Sequence, residues 1–282
     1  MQFTKMQGIG NDFVVADCLI GGALSEDTLQ SASKFLCDRK FGIGGDGVLL
    51  VLPSNGADYK MRMFNPDGTE AEMCGNGIRC FAKFVYDRGY TNKTVITVET
   101  LGGVKSLALR VQDGAVDQVK VDMGAPGLER ADLPMTGEAG TALAQPVKVT
   151  GASVLVTGVS IGNPHIVYYR SPATDESVNH LGPLLEKHPL FPRRTNVHEV
   201  EVLSRREIKM LTWERGAGRT LACGTGACAC VVASVLNDLT DRSVMAHLPG
   251  GDLLIEWSEE DNHVYMTGTA TEVFTGAISL PS

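Results

Sequence analysis

The stretch that decides the fold occurs twice in this chain, each time as a cysteine followed by glycine, a polar residue and glycine. The first copy reads Met-Cys-Gly-Asn-Gly at residues 73–77, and the second reads Ala-Cys-Gly-Thr-Gly at residues 222–226. The residues that follow, 78–85 and 227–236, are apolar on nearly every side of a helix. A helix that is apolar all round is buried. The sequence therefore predicts two central helices, each beginning just after its cysteine.

Other blocks repeat around the two cysteine motifs in the same order. Ile-Gly-Asn at residues 9–11 returns at residues 161–163, and an aromatic residue, Phe64 or Trp213, precedes each cysteine by ten positions. A Gly-Gly pair follows each helix, at residues 102–103 and 250–251. Self-similarity of this kind indicates duplicated units, and its period is far too long for a solenoid.

We therefore predict two related domains, at residues 1–124 and 125–269, with residues 270–282 packing back onto the first. Alternating apolar segments predict strands on both sides of each central helix, so the fold class is α+β. A further helix is predicted at residues 25–39. Another, near residues 178–187, is expected as an insertion in the second half only.

Composition excludes several classes of protein. The 282 residues include 25 Lys and Arg against 33 Asp and Glu, a net charge of −8. A chain this acidic, without a basic run, is a poor partner for nucleic acid or an anionic membrane surface. No apolar stretch approaches the roughly 18 residues that span a bilayer, and the first residues lack a signal-peptide pattern. We expect a cytoplasmic protein whose seven cysteines stay reduced.

Two motifs suggest sites that the surrounding sequence does not support. Gly42, Gly44 and Gly47 match the dinucleotide-binding pattern G-x-G-x-x-G, but a helical segment precedes them and a strand-like run follows. The pattern requires the opposite order, so we interpret this segment as a tight turn. None of the cysteine spacings has the C-x2-C form of structural zinc sites, and we expect no metal.

Cys74 and Cys223 are the candidate reactive residues. Unpaired N–H groups and the positive end of the helix dipole at a helix N-terminus stabilise a thiolate and also bind carboxylates. Two such cysteines, related by a pseudo-twofold axis, can serve opposite faces of one carbon. One removes a proton while the other delivers one, which inverts the stereocentre. Cys80, Cys228 and Cys230 lie within the apolar helices and are expected to be inert.

The motifs resemble those of the diaminopimelate epimerase family, whose members need no pyridoxal phosphate. The match lies in Lys-Met-Gln-Gly-Ile-Gly-Asn-Asp-Phe, Phe-Asn-Pro-Asp-Gly, the two cysteine motifs, Gly-Asn-Pro-His, Arg-Thr-Asn-Val and Trp-Glu-Arg-Gly, at residues 5–13, 64–68, 73–80, 222–226, 162–165, 194–197 and 213–216. These blocks span nearly the whole chain. The cysteine motifs alone also fit proline racemase.

The resemblance implies the fold and the site. Each domain would be a strongly curved, mostly antiparallel sheet wrapped around its helix, with the active site in the cleft between the domains. The chain would convert LL-diaminopimelate to the meso form, for lysine and peptidoglycan precursors, as a homodimer without cofactor. Cys74 and Cys223 would be catalytic, His165 and Glu214 would tune their protonation, and substrate would be held by Asn11, Asn65, Gly75, Asn76, Asn163, Asn196, Glu214, Arg215, Gly224 and Thr225.

One position departs from the family pattern. Some members have Gln where this chain has Gly47, so a side-chain contact cannot be expected there. Three other functions remain open from the sequence. They are a related isomerase with another substrate, a thiol redox sensor that forms a reversible Cys74–Cys223 disulfide, and an amino-acid binder that leaves its ligand unchanged.

Overall fold

The structure, a computed structural model, describes residues 1–20 and 26–280 and has an α+β fold. These residues form four α-helices and eighteen strands, so sheet dominates, in agreement with the predicted class. The chain divides into two compact units, Met1–Val121 with Thr267–Ser282, and Asp122–Met266. Ser25, the predicted cap of the first helix, and residues 281–282 of the predicted C-terminal return lie outside the described residues. The domain boundaries at residues 124 and 269 stay a prediction about the duplication.

The first unit contains two helices, α1 Glu26–Cys37 and α2 Gly75–Asp87. Its strands, in chain order, are β1 Gln2–Gly8, β2 Asn11–Asp17, β3 Gly47–Leu52, β4 Tyr59–Phe64, β5 Glu70–Ala71, β6 Val95–Thr100, β7 Gly103–Gln112, β8 Ala115–Asp122 and, from the end of the chain, β18 Thr271–Ala277. The last strand pairs antiparallel with β1, so the C-terminal segment belongs to this unit.

The second unit contains α3 Asp175–Glu186 and α4 Gly224–Leu236. Its strands are β9 Gln145–Val149, β10 Ala152–Ser160, β11 Pro164–Tyr169, β12 Asn196–Ser204, β13 Glu207–Glu214, β14 Gly218–Thr220, β15 Ser243–Leu248, β16 Gly251–Trp257 and β17 Val264–Gly268.

The two units repeat one topology. In each, an antiparallel hairpin, β1–β2 or β10–β11, leads through a helix to a strand parallel to its second arm, β3 or β12. An antiparallel strand follows, and after a short strand the cysteine helix returns the chain to a second parallel pairing. Both units are therefore mostly antiparallel, with parallel pairs only where a helix crosses over.

One sequence expectation was wrong. The helix near residues 178–187 was expected as an insertion in the second half alone, but α1 occupies the same place in the first unit as α3 does in the second. Both helices connect the hairpin to its parallel neighbour, a connection that requires a crossover. The two helices also share one apolar spacing, Leu29, Ala32, Phe35 and Leu36 in α1 and Val178, Leu181, Leu184 and Leu185 in α3, while their polar residues differ.

Each cysteine helix is the centre of its unit. Helix α2 contacts β1, β2, β3, β4, β7 and β18, and α4 contacts β10 to β13 with β15 and β16. In α4 the run from Ala227 to Ala233 is fully buried, and in α2 even the Arg79 side chain is buried. The sequence prediction of two buried helices is confirmed, and each helix begins at the glycine after its cysteine.

The glycine-rich segment after α1 is a turn, as its place between a helix and a strand predicted. The N–H groups of Ile43 and Gly44 donate to the carbonyl of Leu36 and so end the helix. A Cβ on Gly42 would lie 1.8 Å from the Phe35 carbonyl oxygen, and Gly44 has a φ of +80°. The glycines thus allow close backbone approach and a left-handed turn, which no other residue type does without strain.

Candidate active site

Cys74 is the N-cap residue of α2. Its backbone is extended, with φ −138° and ψ 116°, and its Sγ accepts a hydrogen bond from the Gly77 N–H at 3.4 Å. Gly75 and Asn76 form the start of the helix, where N–H groups lack partners within the helix. The side chain is partly exposed, so the sulfur is both reachable and supported by the helix terminus.

Asn11 lies beside Cys74 in a fixed orientation. Its Nδ2 donates to Asp46 Oδ2 at 2.7 Å, and Asp46 is also paired with Arg39 at 2.9 Å. The Oδ1 of Asn11 therefore faces the other way, 3.8 Å from Cys74 Sγ, and accepts from Asn76 Nδ2 at 3.2 Å. Since a carbonyl oxygen only accepts hydrogen bonds, this neighbour favours Cys74 as a thiol S–H donor.

Two further asparagines of the first unit differ in their surroundings. Asn76 is 2% exposed, and its buried Oδ1 has no hydrogen-bond partner in the described part of the chain. An orphaned buried acceptor two residues along the chain from Cys74 is suited to a donor group of a ligand, such as an ammonium. Asn65 instead is held in its own turn, where its Nδ2 donates to Thr69 Oγ1 at 3.0 Å. Its contact with substrate stays a prediction.

Cys223 is the N-cap of α4 and is more enclosed than Cys74. It is 6% exposed, and its Sγ lies 3.7 Å from Thr225 Oγ1. Burial, followed by the nearby Glu214 carboxylate, raises the pKa of the Cys223 thiol well above its ordinary value. Hydrogen bonds from Thr225 and from the Gly226 N–H act in the opposite direction. The sequence led us to expect only the lowering influence of the helix terminus, and burial outweighs it here.

Asn163, the repeat equivalent of Asn11, connects this cysteine to a buried histidine. Its Nδ2 donates to Thr225 Oγ1 at 3.4 Å, and its Oδ1 lies 2.8 Å from His165 Nε2. His165 is 0% exposed, and burial lowers its pKa well below the usual value. His165 is therefore a neutral imidazole, connected to Cys223 by hydrogen bonds through the Asn163 and Thr225 side chains.

Asn196 joins two of the motifs that the sequence singled out. Its Nδ2 donates to the Pro164 carbonyl at 2.9 Å, and its Oδ1 accepts from the Arg215 N–H at 2.9 Å. Buried Glu186 supports the same turn from the other side, because its carboxylate accepts from the Gly216 N–H at 3.1 Å. The turn carrying Glu214 and Arg215 is thus fixed in place next to β11. Arg215 itself is exposed.

The remaining cysteines of the two central helices are separated from this chemistry. Cys80, Cys228 and Cys230 are 0% exposed, and burial raises the pKa of Cys80 to about 12. They are core residues, as predicted, and their lack of reactivity stays a prediction. No group of three or more metal-ligating side chains occurs within residues 1–20 and 26–280. Over the same part of the chain, none of the helices has the length and apolar character to cross a membrane.

Three polar residues of the sites were missed by the sequence analysis. Asp46 orients Asn11, whereas His198 and Thr212 extend the hydrogen bonds behind His165. A signal for His198 was present, since it follows Asn196 by two positions in a strand and so lies on the same face. Nothing in the local sequence indicates Thr212, which reaches His198 only because β12 and β13 pair.

Known proteins match this chain over most of its length. The family model for diaminopimelate epimerase matches residues 3–129 and 157–273. Among curated relatives, the diaminopimelate epimerase of Acetivibrio thermocellus is 53% identical over 283 residues, covering 99% of each chain. That of Pelotomaculum thermopropionicum is 54% identical, covering 98% of each.

Solved structures show the same fold at much lower identity. A hydroxyproline epimerase from Agrobacterium vitis superimposes with a TM-score of 0.72 at 16% identity, covering 98% of this chain and 91% of that one. A PhzF-family phenazine biosynthesis protein from Bacillus anthracis gives 0.69 at 17%, covering 99% of each chain. These likenesses concern the fold, whereas the family match and the curated relatives extend over almost every residue: the chain belongs to the diaminopimelate epimerase family.

Proposed function

We propose that this protein is an isomerase that interconverts LL- and meso-diaminopimelate in lysine biosynthesis, with Cys74 and Cys223 as its two acid/base residues. The observation that carries the proposal is the repeated placement of a cysteine at the N-cap of each central helix, in a chain about half identical to diaminopimelate epimerases. Each sulfur lies where first-turn N–H groups favour bound anions.

The proposed reaction uses one sulfur on each face of the α-carbon. The thiolate of one cysteine takes the α-hydrogen as a proton, so the Cα–H bond breaks and an S–H bond forms. The electron pair left on carbon spreads into the substrate carboxylate, whose negative charge the helix N–H groups stabilise. The thiol of the other cysteine then gives its proton to the opposite face, and the reverse reaction exchanges the two roles.

The other predicted residues serve recognition in this proposal. Asn11, Asn65, Gly75, Asn76, Asn163, Asn196, Gly224 and Thr225 supply amide and hydroxyl groups, while Arg215 binds the distal carboxylate and Glu214 the distal ammonium. Guanidinium pairs with carboxylate, and carboxylate with ammonium, as charge-assisted hydrogen bonds. The unpartnered Asn76 oxygen supports such a role, since a donor from the ligand would satisfy it.

The test is deuterium incorporation. LL-diaminopimelate is incubated in D2O with purified protein, the reaction is stopped at a few per cent conversion, and the isomers are separated and analysed by mass spectrometry. New meso product should carry solvent deuterium, while recovered substrate keeps its hydrogen, because each thiol serves only one face. Product that retains the original α-hydrogen would falsify the two-thiol mechanism. Exchange with proline but not with diaminopimelate would instead indicate the proline racemase alternative.

The proposal also includes the finer expectations for the whole protein. We propose placement in the cytoplasm, a reducing compartment in which the seven cysteines of this chain would stay out of disulfides. We further propose a homodimer, on the basis of the family resemblance. Light scattering coupled to gel filtration of the purified protein measures its mass directly, and a mass near the 30.1 kDa of one chain would reject the dimer.

A further inference from the structure

A continuous chain of side-chain hydrogen bonds runs through the second unit and ends at the reactive sulfur. Beyond Asn163 and His165, it continues from His165 Nδ1 to His198 Nε2 at 2.9 Å. It closes between His198 Nδ1 and Thr212 Oγ1 at 3.1 Å. All its inner members are shielded, since His165 and His198 are 0% exposed and Thr212 is 2% exposed.

Both histidines of this hydrogen-bond chain, His165 and His198, are neutral. Burial lowers the pKa of His198 to about 3, and burial followed by the charge of His198 and Arg215 lowers that of His165. The charged group facing Cys223 is Glu214, and the buried Cys230 thiol is its other titratable neighbour. A neutral imidazole carries one N–H, so each histidine donates one hydrogen bond and accepts the other.

The orientation of Asn163 then fixes the direction of every bond. Its Oδ1 can only accept, so His165 must carry its proton on Nε2 and present a lone pair at Nδ1. That lone pair requires the proton of His198 to be on Nε2. The Nδ1 of His198 is in turn an acceptor, which the hydroxyl of Thr212 satisfies by donating.

Near Cys223, the hydrogen bonds donate in the same direction, toward the sulfur. The Thr225 oxygen accepts from Asn163 Nδ2, which leaves its own hydrogen available for the Cys223 sulfur at 3.7 Å. Donation therefore runs from Thr212 through His198, His165, Asn163 and Thr225 to Cys223. Hydrogen bonds arranged head to tail polarise and strengthen one another.

We propose that His198 and Thr212 are positioning residues that lock His165 in its Nε2–H tautomer, so that the chain always presents a donor to Cys223. The inference rests on the proposed function for its catalytic meaning and extends it to two residues outside the motifs that carry the family resemblance. The donor that the hydrogen-bond chain presents opposes the burial and the Glu214 charge, which raise the pKa of the Cys223 thiol. A donor to sulfur stabilises the thiolate more than the thiol.

The direct test is the protonation state of the imidazoles by nitrogen-15 NMR of histidine-labelled protein. Long-range nitrogen–proton correlations at neutral pH should show His165 and His198 as Nε2–H tautomers, assigned with the His198→Gln variant. A Nδ1–H tautomer or an imidazolium at either position overturns the proposal. This measurement involves no substrate, so it stands whether or not the protein epimerises diaminopimelate.

Variants test the connection to Cys223. His198→Leu removes the donor to His165, whereas His198→Gln keeps an N–H of similar reach. We expect the apparent pKa of Cys223, from the pH dependence of its alkylation followed by mass spectrometry, to rise by about 0.5 to 1 unit in His198→Leu. His198→Gln should restore most of the shift. Equal values in both variants and wild type overturn the proposal.

Substitutions at Thr212 give a second pair of variants, with a smaller expected effect. Thr212→Val should raise the apparent pKa of Cys223, as His198→Leu does, but by less. Thr212→Ser should leave this pKa at the wild-type value. The control is Thr240→Val in the same unit, because Thr240 is 3% exposed and its hydroxyl is without a hydrogen-bond partner among the described residues. A shift in Thr240→Val equal to that in Thr212→Val would show a packing effect and reject the proposal.

Epimerase kinetics add a signature that loss of structure does not give. Where Cys223 is the base, a higher pKa moves the acidic limb of the kcat/KM profile to higher pH. In the reverse direction Cys223 is the acid, so the alkaline limb moves to higher pH as well. Variants of His198 that lose rate uniformly at all pH values would contradict the proposal. If no epimerisation occurs while NMR shows both Nε2–H tautomers, the proposed function fails and the tautomer lock remains.

Discussion

The two cysteine sites derive from one repeated motif but present opposite hydrogen-bonding groups to their sulfurs. Asn11 is oriented by the Asp46 carboxylate, so its carbonyl oxygen faces Cys74. Asn163, at the equivalent position, places its Oδ1 against His165, so its amide N–H2 faces Thr225 and, through it, Cys223. The duplicated asparagine is thus used in two orientations. Each sulfur also receives a main-chain N–H, from Gly77 or Gly226, and the surrounding residues decide whether the added side-chain group is an acceptor or a donor.

This difference suits a reaction that needs unlike protonation states. An acceptor beside Cys74 favours the thiol, while a donor beside Cys223 opposes the burial that raises the pKa of Cys223. Burial still outweighs this donor in the free protein, and in the proposed function each sulfur alternates between acid and base as the direction of reaction changes. The comparison can be challenged at four places.

The largest effect is expected from removing either sulfur. Cys74→Ala and Cys223→Ala should each lower turnover in both directions by at least about 10³-fold, since general acid/base groups contribute roughly 10²–10⁴ each. The measurement is circular dichroism or chiral chromatography of diaminopimelate. Cys80→Ala and Cys230→Ala are matched controls, and they should reduce stability by about 1–2 kcal/mol with little loss of turnover. A folded Cys223→Ala protein with near-normal turnover would reject the assignment.

The equivalent glycines Gly77 and Gly226 should differ in tolerance. A Cβ on Gly226 would lie 2.4 Å from His198 Cε1 and 3.1 Å from Cys223 Sγ. His198 cannot retreat, because it is buried and hydrogen-bonded on both ring nitrogens. A Cβ on Gly77 would meet Leu49 Cδ2 at 3.2 Å and Cys74 Sγ at 3.6 Å, which small adjustments relieve.

We therefore expect Gly226→Ala to lower stability by about 2–3 kcal/mol and turnover by about 100-fold. Gly77→Ala should cost less than about 1 kcal/mol, because alanine also favours the helix. Urea unfolding and initial rates on both variants check this. Equal losses at the two glycines would mean that the packing around the two sulfurs is alike after all.

Acid should destabilise the second unit before the first. All six histidines lie at residues 165–263, within the second unit, and the first unit has none. The folded pKa of His198 is about 3 against an ordinary 6.5, so below pH 6.5 the unfolded chain binds a proton that the folded one does not. The contribution of neutral His198 to the free energy of unfolding is fully present above pH 6.5 and is lost as pH falls towards 3.

At pH 5 the His198 contribution lost is about 2 kcal/mol, roughly a 30-fold change in the unfolding equilibrium. His165 shifts in the same direction and adds to it. Hydrogen exchange of each unit at pH 7 and pH 5, corrected for intrinsic rates, measures the difference. The effect should be smaller in His198→Gln. Equal destabilisation of both units, or none in the second, contradicts buried neutral histidines.

Much of this molecule could be predicted from its sequence because the repeated motifs report on backbone geometry. Cys-Gly-polar-Gly before an apolar run specifies a strand-to-helix turn and a buried helix, and both were found. The equivalence of α1 and α3 was missed because amphipathic crossover helices vary freely on their outer faces. Asp46 and Thr212 were missed because their roles depend on pairing between strands, which local patterns do not encode. His198 was missed although its spacing from Asn196 places both side chains on one face of β12. The raised pKa of Cys223 likewise depends on enclosure by residues distant in sequence.

The smallest effect, and the most specific, is expected at Asp46. In Asp46→Asn the acceptor that fixes Asn11 is replaced by an amide, which can donate as readily as it accepts. Asn11 is then free to turn its N–H2 toward Cys74, which favours the thiolate. Turnover should fall by about tenfold, equivalent to about 1.4 kcal/mol, because one well-oriented hydrogen bond is lost. At the same time alkylation of Cys74 at neutral pH should become faster.

Arg39→Gln separates this explanation from loss of an ion pair. It removes the partner of Asp46 at 2.9 Å, together with the Arg39 bonds to Asp12 at 2.6 and 3.0 Å, but leaves the Asp46 carboxylate bonded to Asn11. If orientation of Asn11 is what matters, Arg39→Gln should lose little turnover and leave Cys74 alkylation unchanged. Matching losses in the two variants would assign the effect to the ion pair. Slower alkylation in Asp46→Asn would show that the Asn11 oxygen supports the thiolate, and the contrast between the two asparagines would then be rejected.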